Sequence, residues 1–479
     1  MWAELVAPLL FLCGLTSAVH VGVTNLSHGD ICPRSPLQSI ACRRPVVYEL
    51  GKELRNLTEV TSPWTFPPQC VTPIDGSAPL CVFTSQEFDN GRGISIVTSP
   101  RLATNIQSLK SFEQSGKLTE AGRLVATPFE VRDLPGRGKG GIANTTLHRG
   151  DRLLAATPAL LIDTRLYLVL SQMEGIELER IAVRQLPQRA SEMFWELHNQ
   201  PRTGSVRDRI SVNAFAVDVG GGTFSGVVLE TSRFNHDCRP NTGYYFDEET
   251  LTHYTHASTD IAPGTEISVT YISPLGPRVH RQRQLGRAWG FKCTCSQCSM
   301  HPKMVKQSDM RVAHINNMTE LVFTWHARFS NIIERPDALD QDSEPPMGPY
   351  DGPDLDQRQK AKYEAAHAQH LENIRRRVDA MPVLTVAEAI ETSEAIISLL
   401  HQERLHVYAS DIHLVASMAY CAEGRGAQAI KHAQLSLETG LVHEGLDDAL
   451  HEDIMQISEN PASHPCWQKK AAVEAALSS

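Results

Sequence analysis

The chain has 479 residues, of which 41% are hydrophobic and 21% are charged. These are proportions of a globular protein, and they exclude a wholly disordered or fibrous chain. The formal net charge of -10 argues against a general nucleic-acid-binding protein, which carries a basic stripe to replace phosphate counterions. It weakly favours a basic partner, such as a lysine-rich protein segment.

Residues 1–18 have features of a signal peptide. Leu5–Leu15 is mostly apolar, and small residues follow at Thr16–Ala18, where a signal peptidase could cut. The usual positively charged n-region is missing, so a buried or disordered cytosolic N-terminus is the alternative. The segment is too short to span a bilayer comfortably, and we expect no membrane span elsewhere in the chain.

Residues 19–125 form a region rich in cysteine and proline. Behind a signal peptide, four cysteines predict two disulfides with three possible pairings, and four free thiols are the alternative. These four are Cys32, Cys42, Cys70 and Cys81.

Residues 126–275 alternate between extended and helical patterns. Short β-type runs punctuated by glycines occupy 127–162 and 209–272, and they flank a helical insert at about 163–205. The first β-type block contains Gly136-Arg137-Gly138-Lys139-Gly140-Gly141-Ile142-Ala143. Closely spaced glycines let the backbone approach a ligand, although an isolated block of this kind is also typical of a flexible turn.

Residues 276–300 contain a dense group of thiols, Cys293-Thr294-Cys295-Ser296-Gln297-Cys298. Three thiolates at this spacing can surround one tetrahedral ion, and Cys238 is the candidate for the fourth ligand. A set of disulfides formed in an oxidising compartment is the alternative. We therefore expect a zinc segment here.

Residues 301–479 are expected to form an all-helical domain, interrupted by an acidic linker rich in Pro and Gly at about 334–356. Thr385–Glu388 has the pattern of a capping box, which predicts the start of a helix. Gly424 and Gly426 mark the turn of a helix pair that resembles one tetratricopeptide hairpin. An ordinary helical packing domain is the alternative, because one hairpin does not make a repeat array.

The order of four motifs resembles that of the SET-domain protein lysine methyltransferases. The glycine block looks like the first glycine motif of that family. Asn235–Asn241 looks like Asn-His-Ser-Cys-x-Pro-Asn, with Asp237 in place of the serine, and Gly264–Tyr271 looks like Gly-Glu-Glu-Leu-x-x-x-Tyr. The cysteine run looks like the post-SET segment.

This resemblance implies a mixed β/α fold: a SET-type β-clip domain with a helical insert and a post-SET zinc segment, followed by the helical C-terminal domain. The insert and the C-terminal region look most like the SET and MYND subgroup and its fungal relatives. A MYND zinc module is lacking, because no cysteine lies between Ile142 and Asn235.

The resemblance also implies a function, which is S-adenosylmethionine-dependent methyl transfer to a lysine of a histone or non-histone protein. Tyr271 would be the catalytic residue. The cofactor-binding residues would be Gly138, Gly140, Asn235, His236, Trp289 and Phe291, and the zinc ligands would be Cys238, Cys293, Cys295 and Cys298.

Two other functions remain open. One is a degenerate SET module that binds without turnover, because Trp289 stands where the SET and MYND subgroup often has a tyrosine. The other is a methyltransferase for a non-protein substrate in fungal secondary metabolism. The signal-like start, with glycosylation sequons at Asn25, Asn56, Asn144 and Asn317, favours the secretory pathway or the extracellular space. A cytosolic cofactor and thiolates that oxidise easily favour the nucleus or cytoplasm instead.

Overall fold

The computed structural model describes residues 62–113, 127–199, 205–334, 369, 376, 381–443, 445 and 448–478. The signal-like segment at 1–18, Cys32, Cys42 and the linker from residue 335 onwards lie outside these ranges. No helix within them is both long enough and apolar enough to cross a membrane.

The described strands number thirteen and form three sheets. In chain order they are β1 (Gln69–Val71), β2 (Leu80–Ser85), β3 (Ile94–Thr98), β4 (Phe129–Leu134), β5 (Gly138–Ala143), β6 (Arg152–Ala156), β7 (Leu160–Asp163), β8 (Ala214–Val219), β9 (Gly222–Val227), β10 (Asn235–His236), β11 (Thr242–Asp247), β12 (Thr252–Ala257) and β13 (Glu266–Val269).

The structure describes fourteen helices. Short 3-10 turns lie at Thr231–Arg233, His406–Ala409 and Pro461–Ser463. In chain order the helices are α1 (Phe88–Gly91), α2 (Pro100–Gln107), α3 (Lys110–Glu113), α4 (Leu166–Val169), α5 (Gln172–Gln185), α6 (Gln188–Trp195), α7 (Val206–Asn213), α8 (Arg278–Ala288), α9 (Pro302–Glu334), α10 (Val386–Gln402), α11 (Ser410–Ala422), α12 (Gly426–His443), α13 (Asp448–Glu459) and α14 (Lys470–Ser478).

The largest sheet has the strand order β1-β2-β3-β7-β9-β8. Its central β3 and β7 pair in parallel, with Ile96 opposite Leu161. The sequence-based boundary at 125/126 therefore divides strands that belong to one sheet. All residues of β2, β3 and β7 are buried, as expected for central strands covered on both faces.

Helices α4–α6 lie within the expected insert at 163–205, and α7 begins directly after it. Helix α5 begins with a capping box in which the Ser171 hydroxyl accepts a hydrogen bond from the Glu174 backbone and the Glu174 carboxylate accepts one from the Ser171 backbone. Its apolar face covers the largest sheet through Leu178, Ile181 and Ala182. The insert is thus part of the same core as β1–β3.

The four-stranded sheet brings three sequence motifs together, because its strand order is β10-β13-β5-β4. Asn235 of β10 lies opposite Ser268 of β13 in a parallel pair, and Ile267 of β13 lies opposite Gly141 of β5. The motifs extend over about 135 residues of the chain, from Gly136 to Tyr271, but are adjacent in space.

The C-terminal helices share one hydrophobic core with α9. The predicted capping box at Thr385 is confirmed, since its hydroxyl accepts a hydrogen bond from Glu388 N and its backbone N–H donates to the Glu388 carboxylate. Helices α11 and α12 pack against each other across a turn at Gly424, which has φ of 77°. The likeness of this pair to a tetratricopeptide repeat stays a prediction.

The structure contains two disulfides among the described residues. Cys70–Cys81 joins β1 to β2, which is one of the pairings open from the sequence. Cys421–Cys466 joins α11 to the segment before α14, and sequence spacing gave no sign of it.

Glu403, directly after α10, joins the sheet domain to the C-terminal helices. It is 1% exposed and forms ion pairs with Arg239 and Arg311. Its carboxylate also accepts hydrogen bonds from Ser308 Oγ at 2.7 Å and Gln297 Nε2 at 3.0 Å. Burial alone would raise its pKa, but hydrogen bonds from Arg239 and Ser308 outweigh burial, so the pKa of Glu403 lies below its usual range.

Glu403→Gln should lower the free energy of unfolding by about 3 kcal/mol, because it leaves the buried Arg239 guanidinium without its counter-charge. Urea denaturation near neutral pH measures the difference. Glu391→Gln, on the exposed face of α10, is the matched control and should change stability by less than about 0.5 kcal/mol. Equal stabilities for both variants would contradict the assignment.

This stabilisation should depend on pH in a defined direction. A glutamate whose pKa is depressed in the folded state stabilises the fold above its unfolded-state pKa and loses that contribution as pH falls through the folded value. The difference between the wild type and Glu403→Gln should therefore shrink in acid.

Candidate active site

Asn235 lies where the three motifs meet. Its side-chain amide donates to the Lys139 carbonyl at 3.2 Å and to Glu266 Oε1 at 2.9 Å. The Glu266 carboxylate also pairs with Arg137 Nε at 3.2 Å. The amide is thus held between the glycine block on β5 and the carboxylate on β13.

The two predicted cofactor glycines meet different needs. Gly138 has φ of 69°, in the left-handed region, and open space where a Cβ would stand. At Gly140 a Cβ would lie 2.4 Å from Leu134 Cδ1 and 2.9 Å from Asn235 Nδ2. Gly138 is therefore required by backbone conformation, and Gly140 by close approach.

Gly140→Ala should lower the free energy of unfolding by about 1–3 kcal/mol, because Leu134 and the Asn235 amide must move aside. Thermal or urea denaturation measures the loss. The control is Gly286→Ala in α8, where the nearest atom to an added Cβ is 4.0 Å away. This change should leave stability unchanged or raise it, since alanine favours a helix. The same loss in both variants would refute the crowding at Gly140.

His236 connects Tyr271 to the cysteines. It is 3% exposed; its Nδ1 accepts a hydrogen bond from Tyr271 N at 3.1 Å, and its Nε2 lies 3.3 Å from Cys238 Sγ. Burial lowers the pKa of His236 to about 4, so its ring is neutral and can accept that bond. Both ring nitrogens of His236 therefore contact other residues of the protein. The backbone carbonyl of His236 accepts a hydrogen bond from Arg137 Nη2 at 3.3 Å.

Tyr271 follows β13 and packs beside the ring of His236. Its hydroxyl donates to the Phe234 carbonyl at 2.8 Å. Burial raises the pKa of Tyr271 above its ordinary value, which keeps the hydroxyl protonated. Because the proton is donated to Phe234, the lone pairs of the oxygen remain available to accept hydrogen bonds.

Trp289 and Phe291 place aromatic rings over this arrangement. The Trp289 ring lies 5.3 Å from that of Tyr271, and the Phe291 ring lies 6.3 Å from that of His236. Trp289 Nε1 donates to the Val212 carbonyl at 3.1 Å. The single polar hydrogen of the indole therefore binds the end of α7 instead of Tyr271.

The four predicted ligand cysteines come together in a buried cluster, with all four sulfurs within 4.8 Å of one another. Cys238 Sγ and Cys298 Sγ are 3.6 Å apart. Four sulfurs at about 2.3 Å from a tetrahedral zinc would be about 3.8 Å apart. The cluster therefore has the ligand type, number and spacing that suit one zinc ion.

Helix α8 supports the cysteine cluster through two adjacent residues. The Gln282 side chain donates to the Cys293 carbonyl at 2.8 Å and accepts from Cys293 N at 3.0 Å. Arg281 is buried beside Cys238 and Cys298; burial opposes its charge, but the two sulfurs outweigh it and raise its pKa. One positive charge thus lies against what would be a dianionic thiolate–zinc group.

A second group of potential ligands differs from this cluster. Cys421, His464 and Cys466 also lie close enough to hold a metal, but Cys421 and Cys466 are joined in a disulfide. Disulfide sulfurs are not the thiolates that bind zinc. This group is therefore a crosslink in the helical region.

Sequence reasoning missed Arg137, Glu266 and Arg281 as members of the site. Arg137 lies in the glycine block and Glu266 lies in the Gly264–Tyr271 motif. Their position within these motifs could have indicated that they belong to the site. Arg281 belongs to a helix rich in arginine and glutamine, and nothing in the sequence distinguishes the buried arginine from the others.

Comparison with known proteins covers the part of this site that lies before residue 273. The family model of the SET domain matches residues 79–272. The chain is 32% identical to the histone-lysine N-methyltransferase set5 of Schizosaccharomyces pombe over 186 residues, 38% of this chain and 54% of that protein. It is 37% identical to a SET and MYND domain-containing protein of Dictyostelium discoideum over 73 residues, 15% of this chain and 21% of that protein.

The chain therefore spans about half the length, or less, of these curated relatives. Among solved structures, the Neurospora SET domain protein DIM-5, a histone lysine methyltransferase, matches 33% of this chain and 56% of its own, with 18% identity and a TM-score of 0.19.

Proposed function

We propose that this chain, whose residues 79–272 form a SET domain, transfers a methyl group from S-adenosylmethionine to a lysine side chain of a protein. One observation carries the proposal: a neutral, buried Tyr271 hydroxyl is held next to the sheet where Asn235, Glu266 and Gly140 converge. The similarity to a named histone-lysine methyltransferase supports the same reaction.

The cofactor would occupy the side of the sheet where Gly138 leaves open space. Its sulfonium group supplies an electrophilic methyl when it is bound. Because both N–H groups of the Asn235 amide are already donated within the protein, its Oδ1 would accept a hydrogen bond from the cofactor. Phe291 and Trp289 offer ring faces for the adenine. His236 would contact the cofactor through its backbone, because Nδ1 of its ring already accepts a hydrogen bond from Tyr271 N.

Tyr271 would position the lysine amine. An apolar channel disfavours the ammonium form and so lowers the pKa of the lysine, which must be neutral to attack. The lone pairs of the Tyr271 oxygen can accept a hydrogen bond from the amine N–H, while the Phe234 carbonyl fixes the hydroxyl. Catalysis is then mainly alignment of the amine with the methyl group.

Cys238, Cys293, Cys295 and Cys298 would hold one zinc ion with a structural role. Four thiolates close the coordination sphere, which leaves no position for a reacting molecule. The ion would fix the segment that carries Trp289 and Phe291 against Tyr271 and His236.

The substrate would be a lysine-rich protein such as a histone. The acidic net charge of the chain is complementary to such a partner, and the names of the curated relatives point to histones. We propose the nucleus or cytoplasm as the site of action, where the cofactor is made and thiolates stay reduced.

A degenerate SET module is the second candidate, because Trp289 brings no hydroxyl to Tyr271 and donates to Val212 instead. The full chain, incubated with methyl-labelled S-adenosylmethionine and a panel of histones and lysine-rich proteins, separates the two. We expect label in at least one protein. Cofactor binding measured by calorimetry, without label in any protein, would favour the degenerate module.

A further inference from the structure

A cavity of about 550 Å³, including its opening to solvent, lies between the SET domain and the C-terminal helices. The SET domain contributes Arg149, from the turn between β5 and β6. The remaining lining comes from α10, α11, α12 and the 3-10 turn at His406–Ala409. The enclosed part of this space is about 170 Å³, which is smaller than the sites of drug-sized ligands, so only a compact group fits. The lining includes no residue of the candidate active site.

The lining is rich in groups that donate hydrogen bonds or carry positive charge. They are Arg149, Lys431, His401, His406, His413 and His432. Glu394 is the one carboxylate among the described lining residues, and it accepts from Tyr420 Oη at 2.9 Å and lies 3.1 Å from His432 Nε2. The cavity therefore has an excess of cationic and donor groups.

Hydrogen bonds within the protein hold three of these groups, Arg149, His413 and His432, in place. Arg149 Nη2 donates to Thr439 Oγ1 at 2.9 Å, which holds the guanidinium against α12 while its other N–H groups stay available. His413 Nδ1 and His432 Nδ1 are 3.0 Å apart. Burial, followed by the neighbouring positive groups, lowers the pKa of His413 to about 3. The His413 ring is therefore neutral, and an anion would meet its charged partners in Arg149 and Lys431.

We propose that this cavity binds a small soluble phosphorylated molecule through its phosphate groups. Arg149, Lys431 and the imidazole donors together exceed what one carboxylate can use, whereas a phosphate offers three acceptor oxygens and close to two charges. Arginine matches the phosphate geometry with paired N–H groups, and lysine adds a point charge. A bound phosphate would connect the SET domain to α12.

Calorimetry of the full chain with inorganic pyrophosphate, at constant ionic strength set with NaCl, tests the proposal. We expect one site that binds pyrophosphate more tightly than orthophosphate. Lys431→Gln and Arg149→Gln should each weaken binding about tenfold or more, since each removes a charged hydrogen-bond donor. Lys303→Gln, an exposed lysine on α9 outside the cavity, should leave the affinity unchanged.

Thermal denaturation provides a second readout that does not depend on the heat of binding. Pyrophosphate should raise the melting temperature of the wild type and of Lys303→Gln more than that of Lys431→Gln. An equal response in all variants would overturn the proposal, because it would mean general ionic binding. Binding of phosphoinositide vesicles or phosphopeptides, without binding of pyrophosphate, would also overturn it.

Discussion

Tyr271→Phe should slow methyl transfer by about 100-fold or more, while the protein still folds and binds S-adenosylmethionine. The change removes an oxygen that is fixed by the Phe234 carbonyl and that would align the lysine amine in the transition state. Losses of about 10²–10³ in kcat are typical when one preorganised polar group of this kind is removed. Single-turnover measurement with labelled cofactor reports the chemical step directly.

The control for this variant is Tyr167→Phe, which removes a hydroxyl from the partly exposed α4. It should transfer methyl groups at the wild-type rate. Cofactor affinity, measured by calorimetry, should be similar in both variants. If Tyr271→Phe kept full activity, the hydroxyl would serve only packing, and the proposed role of Tyr271 would be wrong.

Cys238→Ser should reduce bound zinc from about one ion per chain to nearly none, with loss of methyl transfer. A three-thiolate site with a serine hydroxyl binds zinc far more weakly, and metal affinity in such segments contributes directly to folding. The buried Arg281 would then lie against a site that has lost its negative charge. Elemental analysis of protein purified under reducing conditions measures the zinc content.

Thr294→Ser provides the comparison, because Thr294 is exposed within the same cysteine run. It should retain both zinc and activity. Full zinc retention in Cys238→Ser would exclude Cys238 from the ligand set. A wild-type chain with no zinc and with all four cysteines in disulfides would contradict the metal site as a whole.

The sequence indicated which residues to consider for the site, but it did not indicate the contacts that hold them in place. Cysteine spacing predicted a cluster of four thiols, and the structure brings these four together. The motifs also pointed to Tyr271 and Asn235, whose roles stay predictions. The role of the His236 ring was not predictable, since its partners are the Tyr271 backbone and Cys238 Sγ. Such a contact depends on how β10 pairs with β13.

Long-range pairing explains what the sequence could not provide about the fold. Three strands, β4–β6, lie between β3 and β7 in the chain, and a run of buried residues is compatible with many partners. The Cys421–Cys466 disulfide was not predictable for a similar reason, because the packing of the C-terminal helices brings these two cysteines together. Glu403 follows an ordinary helix C-terminus, so nothing in its neighbours indicates the two arginines that it binds.

Protein-lysine methylation by the domain at residues 79–272 is the proposal on which the other predictions depend. The most direct measurement incubates the full chain with methyl-labelled S-adenosylmethionine and histones, hydrolyses the products, and identifies the labelled amino acid. We expect label in Nε-methyllysine, and none when Tyr271→Phe replaces the wild type for the same short reaction time. Label in another amino acid, or no label from an enzyme that contains zinc and binds cofactor, would contradict it.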